Sequence, residues 1–200
     1  MPPVKPLAPR HYSEDTGSRL VITIPSRKNW LFIPIMGVWL IGWAFGEIMV
    51  GGIIISSIFG LRGFDGPPAL FLFIWFTFWT IGGAFIIYAF FWQIVGKEEI
   101  EVTSYSVTIS QVLAMFRRSK EYASEHIKDL RTSPVGMNEI YNNWSRSLAI
   151  YGMGNGVIAF DYGAGTIRFG NGIDEAEGKQ IIAEIQQRYP HYRSDGFSPL

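Results

Sequence analysis

Cysteine is absent from the 200-residue sequence. The chain therefore cannot form disulfides, thiolate zinc sites or iron–sulfur clusters, and it offers no cysteine nucleophile. Histidine is scarce, and its positions lie far apart and outside the apolar runs: His11, His126 and His191. This spacing excludes a histidine-ligated haem or pigment held within a bilayer by this chain alone. We predict no metal site and no cofactor.

An excess of charge is also missing, because 17 basic residues balance 17 acidic ones. No basic block is long enough to follow a phosphate backbone, so we expect no nucleic-acid partner. The spacing indicates neither a Ser-His-Asp set nor a carboxylate pair, since the acids that cluster, Glu98, Glu99 and Glu101, are placed on a strand edge. We therefore predict that the chain is not an enzyme and takes no small-molecule substrate.

Long apolar runs are what the sequence does contain. Glu47 is the only residue charged at neutral pH within residues 31–58, and residues 69–95 contain none. Each run exceeds the ~20 residues that a helix needs to cross a bilayer, and an open-ended span must be helical to satisfy its backbone. We predict transmembrane helices at 30–59 and 69–95, joined by a short loop at 60–68.

Positive charge around the two predicted spans gives their orientation. The flanking cations before the first span and after the second are Lys5, Arg10, Arg19, Arg27, Lys28, Lys97, Arg117, Arg118 and Lys120. The linker "GLRGFDGPP" holds only Arg62, which Asp65 matches. We therefore expect both termini in the cytoplasm. Residues 1–19 have no apolar core, so they do not resemble a cleavable signal peptide.

Outside the spans the pattern is that of short strands. The Pro- and charge-rich extended tail at 1–19 is typical of a segment that is disordered in isolation, and a binding partner is one way to order it. The segment "RLVITIPS" alternates apolar residues and predicts a strand at 20–24, inside a membrane approach at 20–29. We expect this strand to pair with the domain at 97–190, because its ladder groups would otherwise be unpaired.

The domain at 97–190 has turn signals at short intervals. "EEIEVTSYSVTISQ" predicts a hairpin with its turn at Ser104 and Tyr105, and "VLAMFRRSKEYAS" predicts two short strands about Arg117 and Arg118. A polar loop at 134–145 comes before three strands separated by glycines, in "SLAIYGM", "GVIAFDYG" and "GTIRFG". The pattern predicts an α+β protein in which a helical membrane hairpin is followed by a small antiparallel barrel or sandwich.

A single helix closes the domain before a short tail at 191–200. Asp174 and Glu177 form a capping box, and Pro190 stops the helix. The ending "TIRFGNGIDEAEGKQIIAEIQQRYP", with the strand order before it, resembles the pleckstrin-homology-like domains of two-span bacterial membrane proteins over residues 97–190. This resemblance implies the fold, a cytoplasmic domain and a location in a bacterial cytoplasmic (inner) membrane, and it implies no established activity.

Two glycine-rich motifs have plainer interpretations than nucleotide binding. "YGMGNGV" lies between two predicted strands, whereas a nucleotide fingerprint needs a strand, a glycine turn and a helix in that order, so we interpret it as a hairpin turn. "FGNGIDEAEG" has that order, but its acidic residues occupy the helix N-terminus that a phosphate would need. We interpret it as a structural cap.

A basic cluster follows the apolar stretch "VLAMF". Arg117, Arg118 and Lys120 are candidates for binding an anionic lipid headgroup. They number fewer than the roughly four to eight cations typical of lipid-reading clusters, so a solvated hairpin is the favoured interpretation.

Glu47 is the unusual residue of the first span. It lies 11 residues in from Ile58, and Thr80 lies 11 residues in from Ala69, so antiparallel packing places the two at one depth. A charged carboxylate at mid-bilayer is costly, roughly 2.5–3.5 kcal/mol for Asp. We expect Glu47 to be neutral and bonded to Thr80 or a backbone carbonyl, or paired with a partner's cation. A role in proton relay or ligand binding is the less favoured alternative.

Small residues predict where helices approach closely. Thr77, Thr80 and Ala84 share a face with Tyr88, which predicts a groove on the second span, and Gly51 is the matching gap on the first. Gly42 and Gly46 form a G-x-x-x-G pair that we expect to contact a helix of another chain.

Two functional hypotheses follow. The first is a non-catalytic accessory subunit or assembly factor that binds other integral membrane subunits of a larger complex, such as a photosynthetic or respiratory one. The second is a membrane-tethered module whose pleckstrin-like domain senses lipid headgroups of the bilayer.

Overall fold

The computed structural model describes residues 9–60, 67–133 and 156–192. The chain divides into two compact units, Lys28–Ile94, here the helical unit, and Met1–Arg27 with Val95–Leu200, here the sheet unit. The two units are therefore formed from different parts of the chain, and the N-terminal segment folds with the C-terminal half.

The helical unit consists of helix α1 at Phe32–Ile58 and helix α2 at Pro67–Val95. Asn29 Oδ1 accepts from the backbone N–H groups of Leu31 and Phe32, which satisfies two donors at the start of α1. The mean hydropathies of α1 and α2 are 1.9 and 2.1. Both helices are long and apolar enough to cross a membrane by length and composition. The structure thus contains both predicted apolar helices.

The larger sheet of the sheet unit has five antiparallel strands in the order β1-β2-β3-β4-β5. The strands are β1 at Tyr12–Asp15, β2 at Leu20–Pro25, β3 at Gly96–Val102, β4 at Ser106–Leu113 and β5 at Phe116–Ala123. Strand β2 pairs along its length with β3, with Ile22 opposite Ile100. The predicted pairing of the strand at 20–24 with the later domain is confirmed.

The smaller sheet has three antiparallel strands in the order β6-β7-β8. They are β6 at Ile127–Thr132, β7 at Ile158–Tyr162 and β8 at Gly165–Phe169, and helix α3 follows at Glu175–Arg188. Short 3-10 turns at Ser124–His126 and Pro190–Tyr192 flank this part. Neither sheet closes into a barrel within the residues that the structure describes.

One apolar core joins both sheets and α3. Its fully buried members come from alternate positions of the strands and from one face of the helix; they include Ile22, Ile24, Ile100, Val102, Ile158, Phe160, Phe169, Ile181 and Ile185. Burying a side chain of this size contributes about 1.5–3 kcal/mol each. The core therefore consists of the same residues whose alternation predicted the strands and whose spacing predicted the apolar face of the helix.

Three details differ from the sequence predictions. The β4–β5 turn lies at Ala114 and Met115, not at Arg117 and Arg118. Ala114 adopts a left-handed φ of 51°, a conformation that an alanine in the sequence does not predict. Strand β3 lies at the centre of its sheet, so its acids are not on an edge. Strand β1 lies within the segment that composition indicated to be disordered.

Some predictions fall outside the described residues. These are the polar loop at 134–145, the strand in "SLAIYGM", most of the glycine turn in "YGMGNGV", most of the loop at 60–68 and most of the tail at 191–200.

Candidate functional site

Glu47 and Thr80 meet across the helical hairpin. Thr80 Oγ1 lies 2.5 Å from Glu47 Oε1 and 2.8 Å from the carbonyl oxygen of Phe76. The threonine hydroxyl has one proton to donate, so it cannot donate to both oxygens at once. A protonated Glu47 would donate to Thr80 Oγ1 and leave the threonine proton for Phe76. The predicted partner of Glu47 is therefore in place.

Two polar atoms beside this contact have no hydrogen-bond partner within the described residues. They are Glu47 Oε2 and Trp79 Nε1, and both are buried. The ring of Trp79 stacks on Trp75 with centroids 5.0 Å apart and lies 6.1 Å from the ring of Trp39. Within the described residues the Glu47 carboxyl therefore has one bonded oxygen, Oε1, and one buried oxygen without a partner, Oε2.

Gly83 of α2 lies directly against the indole of Trp43 of α1. A Cβ built there would lie 2.0 Å from Trp43 Cε2, so only glycine leaves room for this indole. Trp43 Nε1 donates to the carbonyl oxygen of Trp79 at 3.3 Å. The Gly82-Gly83 pair in an otherwise bulky helix was the sequence signal for this gap, and the prediction did not use it.

The groove predicted on α2 is displaced from the real contact face. Thr77 and Ala84 are exposed in the hairpin, and Thr77 Oγ1 donates to the carbonyl oxygen of Phe73 in its own helix at 2.9 Å. Gly51 does lie against α2, since a Cβ there would be 3.4 Å from Phe76 Cζ. The contact face of α2 is shifted because the indole of Trp43, rather than a small side chain, fills the gap.

The two glycines predicted to contact another chain have different surroundings. A Cβ at Gly42 would meet nothing within 4 Å, whereas a Cβ at Gly46 would lie 3.8 Å from Trp79 Cζ2 of the same hairpin. Gly46 therefore lies against α2 of its own chain. Gly42 is open, as are Gly52 and Gly82.

The basic cluster of the sheet unit is divided between two faces of the sheet. Side chains alternate along β5, so Arg117 is on one face while Arg118 and Lys120 are on the other. Arg117 Nη1 lies 3.0 Å from Glu99 Oε2, and Lys97 Nζ lies 2.6 Å from Glu99 Oε1. The cluster is thus less concentrated than its spacing in the sequence suggests.

Glu98 is a buried carboxyl at the centre of the larger sheet, on the same face as Ile100 and Val102. Its Oε2 accepts from the backbone N–H groups of Gly170 at 3.0 Å and Asn171 at 2.9 Å. Burial raises the pKa of Glu98, and the two backbone hydrogen bonds oppose that rise. This side chain therefore fixes the loop between β8 and α3.

Glu177 connects α3 to the N-terminal segment. Its Oε1 accepts from the backbone N–H groups of Arg10 at 2.6 Å and His11 at 2.8 Å, and His11 Nδ1 lies 2.8 Å away. Burial alone would raise the pKa of Glu177, but these hydrogen bonds outweigh it and leave the pKa below its ordinary value. Asp174 caps the helix by accepting from the N–H of Glu177 at 2.8 Å.

The predicted capping box is therefore half present, because the Glu177 carboxylate binds the N-terminal segment instead of the cap residue. At the other end of α3, Arg188 Nε donates to Asp15 Oδ2 at 2.8 Å, and Tyr189 Oη donates to the carbonyl oxygen of Ser18. These contacts hold the segment around β1 to α3 of the same chain.

Among the residues that the structure describes, no group of three or more histidine or acidic side chains could hold a metal ion. Comparison of the chain with protein-family models, with curated proteins and with solved structures found no match. The site must therefore be interpreted from its own chemistry.

Proposed function

We propose that this chain is a non-catalytic integral membrane protein that crosses the bacterial inner membrane twice and binds other integral subunits. In this proposal α1 and α2 are the spans, the sheet unit is a cytoplasmic pleckstrin-homology-like domain, and the protein acts as an accessory subunit or assembly factor. The resemblance of the sequence after 97 and the cations flanking the spans support the orientation.

The observation that carries this proposal is the apolar surface that the helical unit leaves uncovered. Large side chains are exposed along both helices, among them Val38, Ile41, Phe45, Ile48, Phe71, Phe78 and Ile81. Soluble monomers rarely expose contiguous apolar patches of more than a few hundred Å², so lipid or other membrane helices must cover this surface.

Open glycines support a helix partner in addition to lipid. Trp43 of α1 and Gly83 of α2 face each other, and Gly42 and Gly82 are the residues that precede them. Because the two helices are antiparallel, the residues before a facing pair lie on the same side of the hairpin, so Gly42 and Gly82 share one side. Gly52, nine residues or about two and a half helical turns after Trp43, points away from α2 on the back of α1 and serves as the control position. Glycine lets a neighbouring backbone come close, which is how membrane helices associate.

Native isolation tests the proposal. The protein is solubilised gently from its own membranes, and the mass of the assembly is measured for the wild type, for Gly42→Ile with Gly82→Ile, and for Gly52→Ile. We expect the wild type and Gly52→Ile to run in an assembly with other subunits and the double variant to run alone. A wild-type chain that is monomeric in every gentle detergent would overturn the proposal.

A further inference from the structure

The turn between β4 and β5 presents two large apolar side chains to the surroundings. Met115 is 94% exposed and Phe116 is 77% exposed, and they are adjacent in the chain. The backbone is tight here, since Leu113 pairs with Phe116 across a two-residue connection. In water this pair would be an unfavourable apolar projection, whereas at a lipid surface it would be buried.

This turn lies at one particular end of the five-stranded sheet. Leu113 pairs with Gly96, and Gly96 follows Val95, the last residue of α2. Ser26, which follows β2, donates its N–H to the carbonyl oxygen of Gly96 at 2.9 Å. Both points at which the chain passes between the sheet unit and the apolar helices are therefore at the end of the sheet that carries the turn.

Charge is distributed along the strands in the same direction. Residues that pair directly across neighbouring strands form a row on one face of the sheet. In the row next to the turn, Lys97 and Arg117 both pair with Val112. Four residues further along β3, a second row crosses the sheet and contains only acidic charge: Glu14, Glu101 and Glu121. The rows are about 13 Å apart at 3.3 Å per residue. Glu99, between the two rows, pairs with both Lys97 and Arg117, so the turn end of this face keeps one net positive charge. Glu101 pairs with Arg19, and the far part of the face keeps a net negative charge from Glu14 and Glu121.

We propose that the β4–β5 turn docks on the surface of an anionic lipid bilayer. Met115 and Phe116 enter the interface between headgroups and acyl chains, while Arg118, on the same face as Phe116, and Arg117 meet the headgroup phosphates. The acidic row points the remainder of the sheet away from the negative surface. The inference rests on the proposed function in one respect, which is that α2 ends at the membrane.

A bilayer is the occupant that fits these observations best. An apolar tip two residues long inserts into a lipid interface without a shaped pocket, whereas a protein partner would need a complementary site. Arg117 and Arg118, next to the tip, match anionic headgroups in sign.

The absence of cysteine from the sequence makes a direct test simple. Single cysteines replace Met115, Tyr105 or Phe78 in the full chain, and each carries the same environment-sensitive fluorophore. Tyr105, 84% exposed, is in the turn at the opposite end of β4 and is the matched control. Phe78, exposed on α2, reports whether that helix is in lipid at all. The proteins are placed in nanodiscs of phosphatidylglycerol or phosphatidylcholine that contain a nitroxide-labelled lipid.

We expect the lipid-borne nitroxide to quench the probe at 115 several-fold more than the probe at 105 in phosphatidylglycerol discs. The quenching at 115 should fall in phosphatidylcholine discs and in the Arg117→Gln, Arg118→Gln background. Quenching at 78 with none at 115 overturns the inference and leaves the proposed function standing. No quenching at 78 means that the chain is not inserted, which overturns both. A probe at 115 that is shielded from an aqueous quencher but not reached by the lipid nitroxide indicates a protein contact and also overturns the inference.

Discussion

Thr80 has one hydroxyl proton and two oxygen atoms within hydrogen-bond distance, and this fact decides how Glu47 should respond to substitution. Glutamine at position 47 can donate from its amide to Thr80 Oγ1 and leave the threonine proton for Phe76. We therefore expect Glu47→Gln to preserve the stability of the hairpin in detergent. Glu47→Leu should lose about 1 kcal/mol, the size of a membrane hydrogen bond.

Unfolding of the full chain in mixed detergent, followed by tryptophan fluorescence, measures this difference. Thr80→Val is the companion variant, because it removes the same hydrogen bond from the other side. It leaves both oxygens of Glu47 without a partner, so it should cost more than Glu47→Leu. If Glu47→Gln abolishes assembly of the complex while Glu47→Leu folds normally, the carboxyl has a function beyond packing and this account of Glu47 is wrong.

Glu98 and Glu177 should give opposite pH dependences. A folded-state pKa above the ordinary value of 4.5 means that the stability contributed by Glu98 is fully present below that value and is lost as the pH rises through the folded pKa. Glu98→Gln keeps an oxygen that accepts from Gly170 and Asn171 and cannot ionise. We expect the melting temperature of the sheet unit to decline less as the pH rises above 4.5 in Glu98→Gln than in the wild type.

Glu177 provides the contrast. Its pKa is lowered, so its contribution is present above the ordinary carboxyl pKa and is lost as the pH falls through the folded pKa. Glu177→Gln should therefore lower the melting temperature at neutral pH and flatten the acid side of the curve. Identical pH profiles for the two variants would contradict the assigned hydrogen bonds.

At the level of helices, Gly83 and Gly82 offer a paired test of the hairpin. Both substitutions to alanine add one methyl group at adjacent positions of α2, but a Cβ at Gly83 would overlap Trp43 and a Cβ at Gly82 would meet nothing. We expect Gly83→Ala to cost about 1–3 kcal/mol, as overpacking does, and Gly82→Ala to cost little. Equal unfolding curves in detergent would show that Trp43 does not pack at Gly83.

Several helix and strand contacts can be predicted from the sequence alone. Counting inward from the ends of the two apolar runs places Glu47 opposite Thr80, because the loop between the helices is short and both helices rise equally per residue. Alternation predicts β2, and its otherwise unpaired ladder groups predict pairing with the later domain, where the structure identifies β3 as the partner. Alternation also places Glu98 on the same face as Ile100, so its burial was open to prediction from the pattern.

Other features of the fold could not be predicted, because they depend on contacts between residues far apart in the sequence or on backbone conformations without a sequence signal. Strand β1 is polar throughout, and it is held by Glu177 and Arg188, which are more than 160 residues away in the chain. The left-handed Ala114 has no composition signal because glycine or asparagine usually occupies such a position. The interface at Gly83 depends on which way one indole turns, which a helical period does not specify.

For the whole molecule, the arrangement of the chain explains why the N-terminal segment and the C-terminal half form one unit. Strand β2 and strand β3 flank the two helices in sequence and pair with each other, so the apolar hairpin leaves and re-enters the sheet unit at neighbouring positions. A chain of this plan can place two spans in a membrane and keep a single folded domain on one side of it.

The most direct test of the account is therefore the position of the loop and of the sheet unit relative to the membrane. Single cysteines at Asp65, in the predicted non-cytoplasmic loop, and at Tyr105, in the sheet unit, are exposed to a membrane-impermeant maleimide in intact and in lysed cells. The account predicts labelling of position 65 in intact cells and of position 105 only after lysis. Labelling of both positions only after lysis, with the protein extracted from membranes by alkaline carbonate, would contradict it.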